Sequence, residues 1–443
     1  MTSEIKQRIE QINNGQVPTG YKETEFGIFP CDWVTDKTFG DLFSFNGGLS
    51  KSREELSENG IEYLHYGDMH RSDFNIASLE QYSKLPKYDT KIKGDESFLM
   101  QDGDVAFLDA SEDLEGTSRS VLIDNPENKP FIAGIHIIYG KPRGKELSKY
   151  YKQYLTRPEY IKKQFKKLAS GFKVYGLNRN TITGIKCAYP KSTAEQEKIA
   201  EILMKWDKAI ELYNQQIEKL TLLKSSCIKK MFPQKGEKVP EWRFKGFSNA
   251  WEQRKAVDIA DYSKGNGYSK SDLTENGTPI ILYGRLYTKY QFAIDEVDTF
   301  ATPKDGSIYS QGKEVIIPAS GETAEDIARA SAVEKSGILL GGDLNILRPF
   351  NFINPLFLAL TISNGEPQKE LAKKAQGKSV VHIHNSDIQE VTVSFPTRAE
   401  QDRIVAVFRS LDNLITLHQR KVEIIIKQRK ALQQYLLNGI VRV

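Results

Sequence analysis

The hydrophobic pattern of the chain is dominated by one long segment that occurs twice. Residues 194–231 return at residues 399–436, and in both copies apolar side chains recur at alternating steps of four and three, beginning at Ile199 and Ile404. A mean step of 3.5 residues is typical of a supercoiled helix pair, because only a seven-residue repeat keeps one apolar line facing a partner over many turns. The pattern therefore predicts two long helices that pack through this seam.

The two segments also begin and end alike. Each begins with an S/T-x-x-E capping box, which satisfies the first free amides of a helix. The capping pairs are Ser192 with Glu195 and Thr397 with Glu400. Pro233 ends the first helix and Gly439 the second. At 1.5 Å per residue, each helix is predicted to be about 57 Å long.

One charged residue interrupts each seam at the same rung. Lys224 and Arg429 occupy these positions. A charge in a seam is tolerated when it fixes the register or reaches out of the seam along its aliphatic stem. In an antiparallel pair the two cations would not face each other, since each lies near the C-terminal end of its own helix. Two interpretations remain: the side chains extend into solvent, or they mark a docking site for another subunit.

The regions between the long segments carry a second repeat. Trp33 returns as Trp251, and the stretch GDVAFLDAS ending at Ser111 returns as GKEVIIPAS ending at Ser320. Alternating or β-branched runs predict strands, and they lie at residues 105–108, 131–139, 314–317 and 389–395. Helical pieces are predicted at residues 147–168 and 355–362. Each region is therefore predicted to be α+β.

These patterns define the expected architecture. We expect an α+β protein with two tandem α+β domains, separated by two long helices that form an intramolecular antiparallel coiled coil with a pseudo-two-fold internal repeat. The link PQKGEKVP, at residues 233–240, has the composition of a domain boundary. The expected segments are an N-terminal helical arm at 1–19, a first domain at 20–190, a central coiled-coil helix at 191–235, a second domain at 236–396 and a distal coiled-coil helix at 397–443.

Composition is that of a folded globular protein. Hydrophobic residues make up 39% and charged residues 27% of the 443 positions. No apolar run approaches the ~20 residues of a membrane helix, and the N-terminus has no signal-peptide core. Three widely spaced cysteines indicate a reducing compartment. We therefore expect a cytoplasmic protein without a membrane partner.

The distribution of charge is more informative than its sum. The net charge of +4 indicates no nucleic acid by itself. The segment from Lys141 to Lys186, however, holds thirteen Lys or Arg against two acids, whereas residues 348–378 of the second half are close to balanced. A basic segment is either a solvated helix face or a source of sequence-independent affinity for phosphates.

The candidate catalytic and metal-binding motifs of the sequence are incomplete. The G-K-S at residues 377–379 has the end of a phosphate-binding loop, but Ala372 stands where the first glycine is required. His382 and His384 share one side of a predicted strand, yet the first half has no histidines at the matching positions, which argues against a metal. We expect a recognition protein and not an enzyme, with no catalytic residue and no cofactor or metal of its own.

The beginnings of the long helices carry the most specific motif. Both contain A-E-Q, at residues 194–196 and 399–401, with Asp207 and Asp412 downstream. Together with the domain openings GYKETEFGIFPCDW and VPEWRFKGFSNAW, these motifs closely resemble the specificity subunit of a type I restriction-modification enzyme, and the similarity covers nearly the whole chain. The resemblance implies that each large domain is a target-recognition domain reading one half of a bipartite DNA sequence, and that the helices set the spacer between the halves.

The resemblance also implies partners. Double-stranded DNA would be the ligand. Two modification (methyltransferase) subunits would dock on the helices and bring S-adenosylmethionine, and two restriction/translocase subunits would use ATP and magnesium. A non-catalytic coiled-coil scaffold with two protein-binding domains remains the alternative, because the second domain carries little net charge.

Candidate DNA contacts follow from this expected function. The basic segment of the first domain is expected to contact phosphates through Arg157, Lys162, Lys163, Lys166 and Lys167. Base reading needs bidentate or adaptable side chains on loops. The candidates are Arg119, Lys173, Asn178 and Arg179 in the first domain, and Arg285, Tyr287, Arg329, Lys378 and Asn385 in the second.

Overall fold

Two long helices run through the structure, which is a computed structural model. The central helix is Thr193–Met231 and the distal helix is Arg398–Leu437. Gly439 follows the distal helix in a left-handed conformation, with φ of 68°. Both long helices are therefore confirmed, and both end where the proline and the glycine predicted. The structure describes residues 2–71, 76–78, 85–89, 98–171, 173–377 and 380–443.

The chain divides into two compact units, and each contains parts of both long helices. Unit 1 comprises residues 1–212 and 421–443, and unit 2 comprises residues 213–420. Within unit 1 the beginning of the central helix packs against the end of the distal helix. Within unit 2 the end of the central helix packs against the beginning of the distal helix. The helix pair is therefore intramolecular and antiparallel, as predicted.

Unit 1 is built on one five-stranded sheet with smaller sheets beside it. Its neighbouring strands are antiparallel except for the last pair, which is parallel, and their order is Phe43–Gly47, Ile137–Pro142, Val105–Leu108, Ser120–Asp124, Ile76–Ser78. A three-stranded sheet has the order Phe131–Ala133, Ile61–Leu64, Lys87–Tyr88. Two-stranded sheets pair Tyr21–Thr24 with Gly27–Pro30, Trp33–Thr38 with Lys186–Pro190, and Ala110–Ser111 with Tyr175–Gly176.

Unit 2 repeats this sheet. Its main sheet has the same strand directions, again with a parallel last pair, in the order Ala260–Lys264, Leu344–Pro349, Glu314–Pro318, Ser331–Val333, Ala293–Ile294. A second sheet has the order Leu273–Thr274, Phe300–Ala301, Thr278–Ile281, Ser336–Leu340, Tyr309–Gln311. Two-stranded sheets pair Glu252–Lys255 with Thr392–Phe395 and Ser320–Gly321 with Val381–His382. The shared order confirms the internal repeat of two α+β domains.

Short helices connect the strands. In unit 1 the α-helices are Ser3–Asn13, Phe39–Leu42, Tyr66–Arg71, Glu159–Leu168 and Arg179–Thr183, and the 3-10 helices are Arg53–Glu55, Gly116–Ser118 and Tyr150–Tyr154. In unit 2 the α-helices are Arg285–Thr288, Ala324–Ile327, Pro355–Ile362, Gly365–Lys374 and Asn385–Gln389, and the 3-10 helices are Ala256–Asp258 and Lys270–Asp272.

The first seam residues of each long helix belong to a domain core. Ile199 and Leu203 are fully buried in the same cluster as Trp33 in unit 1. In unit 2, Ile404 and Phe408 occupy the equivalent positions in the core cluster of that domain. Burying a side chain of this size contributes ~1.5–3 kcal/mol. Each domain therefore holds the beginning of the helix that follows it.

The glutamines of the two A-E-Q motifs bind the backbone of the preceding domain. Both side chains are fully buried. The Oε1 atom of Gln196 accepts a hydrogen bond from the N–H of Ser148 at 2.7 Å, and its Nε2 donates to the carbonyl oxygens of Glu146 and Pro190, both at 2.8 Å. Gln401 repeats the arrangement with the N–H of Asn354 and the carbonyl oxygens of Phe352 and Pro396.

The glutamates of the same motifs bind arginines. Glu195 accepts hydrogen bonds from Arg442 at 2.5 and 2.8 Å, and Glu400 accepts from Arg243 at 2.7 and 2.8 Å. The N–H of Glu195 does donate to Ser192 Oγ at 3.4 Å, but its carboxylate does not complete the predicted capping box. The reason is that a guanidinium offers two charge-assisted hydrogen bonds, whereas the amide at the helix start offers one.

The seam cations form ion pairs across the helix pair. Arg429 donates from Nε and Nη2 to the two carboxylate oxygens of Asp207 at 2.9 and 3.0 Å. The Nζ atom of Lys224 donates to Asp412 at 2.5 Å. The interpretation that these side chains extend into solvent is therefore wrong, because an aspartate of the opposite helix lies within reach of each one.

Three local predictions need correction. The predicted strand at residues 131–139 is two strands, interrupted at residues 134–136 by a turn in which His136 has φ of 59°. The helical piece at residues 147–168 is broken before Pro158, because proline provides no N–H to continue the preceding turn. The strand predicted at residues 389–395 begins only at Thr392, since a short helix occupies the residues before it.

The repeat between the two main sheets is offset by one residue from the sequence alignment. The sequence matches Ser111 with Ser320, but Gly176 pairs with Ala110 in unit 1, whereas the equivalent His382 pairs with Ser320 in unit 2. Strand register depends on the partner strand, which the GDVAFLDAS and GKEVIIPAS motifs do not contain. Ala110 is therefore the structural counterpart of Ser320.

Candidate nucleic-acid interface

Loops meet at one end of the main sheet in each unit, and their backbones are joined in the same way. In unit 1 the N–H of Leu177 donates to the carbonyl of Asp109 at 2.7 Å, and the N–H of Asp109 donates to the carbonyl of His136 at 3.1 Å. In unit 2 the corresponding bonds run from Ile383 to Ala319 at 3.0 Å and from Ala319 to Asp343 at 2.7 Å. We name these regions the loop clusters; they comprise residues 109–119, 134–136 and 173–179 in unit 1, and 319–329, 341–343 and 380–385 in unit 2.

One turn of each loop cluster has an unusual backbone conformation. His136 and Asp343 have φ of 59° and 56°, in the left-handed region that costs a non-glycine residue about 1–2 kcal/mol. Both side chains are exposed. The Nδ1 atom of His136 lies 2.9 Å from Asp109 Oδ1, and its ring is edge-on to Tyr66, with centroids 5.2 Å apart. This position was not predicted from the sequence: Gly134 in unit 1 and Gly341 with Gly342 in unit 2 indicate a tight turn but not which residue takes the left-handed conformation.

The base-reading candidates of the first domain divide into one internal and three exposed side chains. Arg119 is half-buried and donates from Nη1 to the carbonyl oxygens of Met69 and His70 at 2.6 and 2.9 Å. Lys173, Asn178 and Arg179 are exposed. Asn178 also caps the helix Arg179–Thr183, because its Oδ1 accepts from the N–H of Thr181 at 2.9 Å. Contact between these residues and bases stays a prediction.

The basic segment forms the helix Glu159–Leu168, which buries Ile161 and Phe165 on one side. Lys163 and Lys167 are exposed and lie one turn apart. Lys162 binds Glu159 at 3.0 Å, and Lys166 binds Glu115. Because two of the four lysines already pair with acids, Lys163 and Lys167 are the pair most available to a phosphate backbone.

Arg157 lies immediately before this helix and is more enclosed than the lysines. Burial lowers the pKa of Arg157 to about 10, and the nearby cations Arg429 and Arg119 act in the same direction. Its carbonyl accepts a hydrogen bond from Gln434 of the distal helix at 3.2 Å. The backbone of Arg157 thus helps attach the domain to the helix pair, and its predicted phosphate contact stays untested.

The candidates of the second domain are mostly engaged within the domain. Arg285 pairs with Asp298 and donates to Gln291 at 3.1 Å. Arg329 lies over the ring of Tyr290 at 5.6 Å. Tyr287, Arg329 and Asn385 are all half-buried, and Asn385 donates to the carbonyl of Ser263 at 3.0 Å. Lys378 lies outside the described residues.

A buried carboxyl group fixes the turn before the strand that leads into each loop cluster. In unit 2, both oxygens of Glu314 accept from backbone N–H groups of the turn at 2.8–3.1 Å. In unit 1, Asp104 accepts from the N–H of Gln101 at 2.8 Å. Burial raises the pKa of Asp104 to about 6, although the Gln101 N–H and the cations Lys141 and Lys152 act in the opposite sense. Burial also lowers the pKa of Lys152 to about 8.

The described residues offer no clear metal site. Within them, no three His, Cys, Asp or Glu side chains are grouped so that they could hold an ion. His382 lies 3.0 Å from Ser320 Oγ through its Nδ1, and His384 is the N-cap residue of a short helix. Among the helices that the structure describes, none combines the length and the apolar character needed to cross a membrane.

The duplicated sheets and loop clusters correspond to a known family. The model of the type I restriction modification DNA specificity domain matches the chain twice, over residues 30–222 and 249–427. The chain belongs to this family and is a specificity subunit with two such domains, whose function is the recognition of a DNA sequence.

Individual relatives agree with this assignment. The type I restriction enzyme MjaVIII specificity subunit of Methanocaldococcus jannaschii is 25% identical over 308 residues, which cover 66% of this chain and 70% of that protein. A putative type I restriction enzyme MjaX specificity subunit of the same organism is 22% identical over 441 residues, covering 96% and 97%.

Two solved structures share the fold. The type I restriction-modification S subunit from M. genitalium has a TM-score of 0.57 at 14% identity and covers 91% of this chain and 96% of its own. A chain from a structure on complex assembly and conformational transition of the type I R-M system has a TM-score of 0.53 at 15% identity, covering 96% and 100%.

Proposed function

We propose that this chain reads a bipartite DNA target, with one half-site recognised by each domain. The observation that carries the proposal is the duplicated loop cluster, which lies at the same end of the same five-stranded sheet in both units. Equivalent loops that carry different side chains would allow two domains of the same fold to recognise two different base sequences. The exposed Lys163 and Lys167 add sequence-independent affinity for the phosphate backbone.

The chain contributes recognition, and partner subunits contribute the chemistry. In this proposal two modification subunits bring S-adenosylmethionine and methylate adenine, and two restriction/translocase subunits use ATP and magnesium. The specificity subunit itself binds none of these cofactors and performs no catalytic step.

The outer faces of the long helices are the proposed docking surface for the modification subunits. In unit 2, Leu222 and Leu223 of the central helix and Leu414 and Leu417 of the distal helix are 43–59% exposed. Large apolar side chains that stay exposed on both helices mark a candidate subunit interface. A Leu222→Glu/Leu414→Glu variant should lose co-purification with the modification subunits, whereas Lys219→Glu, a charge change at an exposed neighbouring position, should retain it. Equal binding by both variants would exclude this surface.

Methylation mapping of host DNA tests the proposed function. An active subunit produces one bipartite, adenine-methylated motif that disappears when the gene for this chain is deleted and returns on complementation. If the motif is unaffected by deletion while the chain still assembles with other proteins, the alternative of a protein-binding scaffold is correct.

A further inference from the structure

The same exposed position is held in a left-handed conformation in both loop clusters. Glycine would adopt this conformation without cost, yet the chain has a polar side chain there in each domain: His136 in unit 1 and Asp343 in unit 2. Strained backbone of this kind is concentrated at functional sites, where the side chain offsets the cost. Asn128 is the one other non-glycine residue with positive φ in the described part of the chain.

The two side chains present the same hydrogen-bonding group. The carboxylate of Asp109 can only accept, so Nδ1 of His136 donates to it and Nε2 is the ring nitrogen left to bind a base; in the neutral tautomer with its proton on Nδ1, Nε2 is an acceptor. The carboxylate of Asp343 is also an acceptor, and it receives no hydrogen bond from the residues that the structure describes. Both domains therefore expose an acceptor at equivalent places.

In each domain this position lies next to the segment that contains a residue predicted from the sequence to contact bases. Through the carbonyl of His136, the turn is bonded to Asp109, and Asp109 is bonded to Leu177, which directly precedes Asn178. The bonds between Asp343, Ala319 and Ile383 place the turn of unit 2 next to His384 and Asn385 in the same way. The Tyr66 ring further limits the orientation of the His136 ring.

We propose that His136 and Asp343 are specificity-determining residues, each accepting a hydrogen bond from the exocyclic amino group of one base in the half-site read by its own domain. The inference rests on the proposed bipartite reading and adds the residue and the base class. In the major groove, an amino group is presented by adenine at N6 and by cytosine at N4. One base pair in each half-site should therefore depend on this acceptor.

The test uses the full chain assembled with its modification subunits and S-adenosylmethionine, methylating duplexes with randomised half-sites. Glycine is the informative substitution, because it keeps the left-handed backbone and removes only the side chain. His136→Gly should lower discrimination at one adenine or cytosine of the first half-site about tenfold and leave the second half-site unchanged. Asp343→Gly should have the reciprocal effect.

Asn128→Gly is the matched control, since it also replaces a left-handed residue by glycine, but outside the loop cluster, and should alter neither half-site. If a glycine variant fails to assemble, His136→Asn and Asp343→Asn tolerate the left-handed backbone and add an amide donor beside the acceptor, which should alter the base preference at that position. An unchanged preference in all variants, or a uniform loss over all sequences, would overturn the inference while leaving bipartite reading intact. A wild-type complex without a bipartite motif would instead overturn the proposed function.

Discussion

Asp207 and Asp412 each accept hydrogen bonds from a cation that occupies a seam position of the other long helix. The Arg429 side chain is 15% exposed and that of Asp207 is 28% exposed, so both charges have lost much of their hydration. The ring of Tyr154 lies below the guanidinium at 5.9 Å, and its hydroxyl donates to Asp207 at 3.2 Å. Such a pair contributes less to stability than to the choice of register, because only one alignment of the helices brings the partners together.

Removing one member of this pair should destabilise unit 1. Arg429→Met leaves the half-buried Asp207 carboxylate without its cation, and we expect a loss of ~1–3 kcal/mol in the free energy of unfolding. The Arg429→Met/Asp207→Leu double variant should recover most of that loss, since two apolar side chains suit a seam. Urea denaturation measures both. A single variant as stable as the wild type would show that the pair has no structural role.

The carboxyl group of Asp104 predicts a pH dependence. Its pKa is raised from 3.8 to about 6 in the folded protein by burial, so the folded state binds this proton more tightly than the unfolded chain does. The stabilisation is therefore complete below pH 3.8 and is lost as pH rises through about 6, by about 3 kcal/mol in total. Asp104→Asn retains the acceptor for Gln101 but does not titrate.

The difference in unfolding free energy between wild type and Asp104→Asn isolates this effect from other carboxyl groups. Between pH 4 and pH 7 the free energy of unfolding of the wild type should fall by about 2.4 kcal/mol relative to that of the variant. Urea denaturation at unit steps of pH provides the measurement. Parallel stability curves for the two proteins would show that Asp104 has an ordinary pKa.

At the scale of elements, the beginning of each long helix is attached to its domain by one fully buried glutamine. Gln196 bonds three backbone groups of unit 1, and Gln401 bonds three of unit 2. An apolar replacement leaves those groups buried and unsatisfied, at about 1–3 kcal/mol for each group. The glutamine of the motif therefore fixes the start of each long helix to the domain that precedes it.

Gln196→Leu and Gln401→Leu are therefore matched probes of the two units. Gln196→Leu should speed amide hydrogen exchange at Ser148 and at the start of the central helix while leaving unit 2 at wild-type rates. Gln401→Leu should do the reverse, with Asn354 as its reporter. Exchange that rises in both units for either variant would contradict a local attachment.

The sequence predicts these elements well where the information is local and poorly where it is distant. The long helices are predictable because a seven-residue repeat and a following proline or glycine lie within each segment. Glu195 is read as a capping residue because its partner Arg442 is 247 positions away. The one-residue error at Ser111 has the same origin, since register is set by a strand that begins at Tyr175.

The candidate site is less predictable than the fold. Exposed lysines on the helix Glu159–Leu168 follow from a charge count. The positions of His136 and Asp343 do not, because a left-handed φ on a non-glycine residue has no signature in composition or periodicity. Arg119 shows the converse case: a loop arginine suggests base reading, but its guanidinium donates to backbone carbonyls of the same domain.

At the scale of the whole molecule, both domains and both long helices are duplicated, and the proposed two half-sites would be connected through the helix pair. The ion pairs of Asp207 with Arg429 and of Asp412 with Lys224 have the same antiparallel register. Residues 210–216 lie between Asp207 and Lys224 on the central helix, and residues 420–426 lie between Asp412 and Arg429 on the distal helix. Removing both heptads together therefore shortens the two helices equally between the two ion pairs.

Deleting residues 210–216 and 420–426 together tests whether the helices set the spacer. The deletion shortens each helix by about 10 Å, which corresponds to about three base pairs at 3.4 Å each. If the helices determine the spacer, methylation of a randomised duplex library should show the same two half-sites with fewer unread base pairs, or no methylation where the new length cannot match the turn of the duplex. Deleting residues 210–216 alone is the control. It shortens only the central helix, so the two ion pairs can no longer form in the same register, and the free energy of unfolding should fall. If the double deletion has normal stability and still methylates targets with the wild-type spacer, the spacing is set outside the helices.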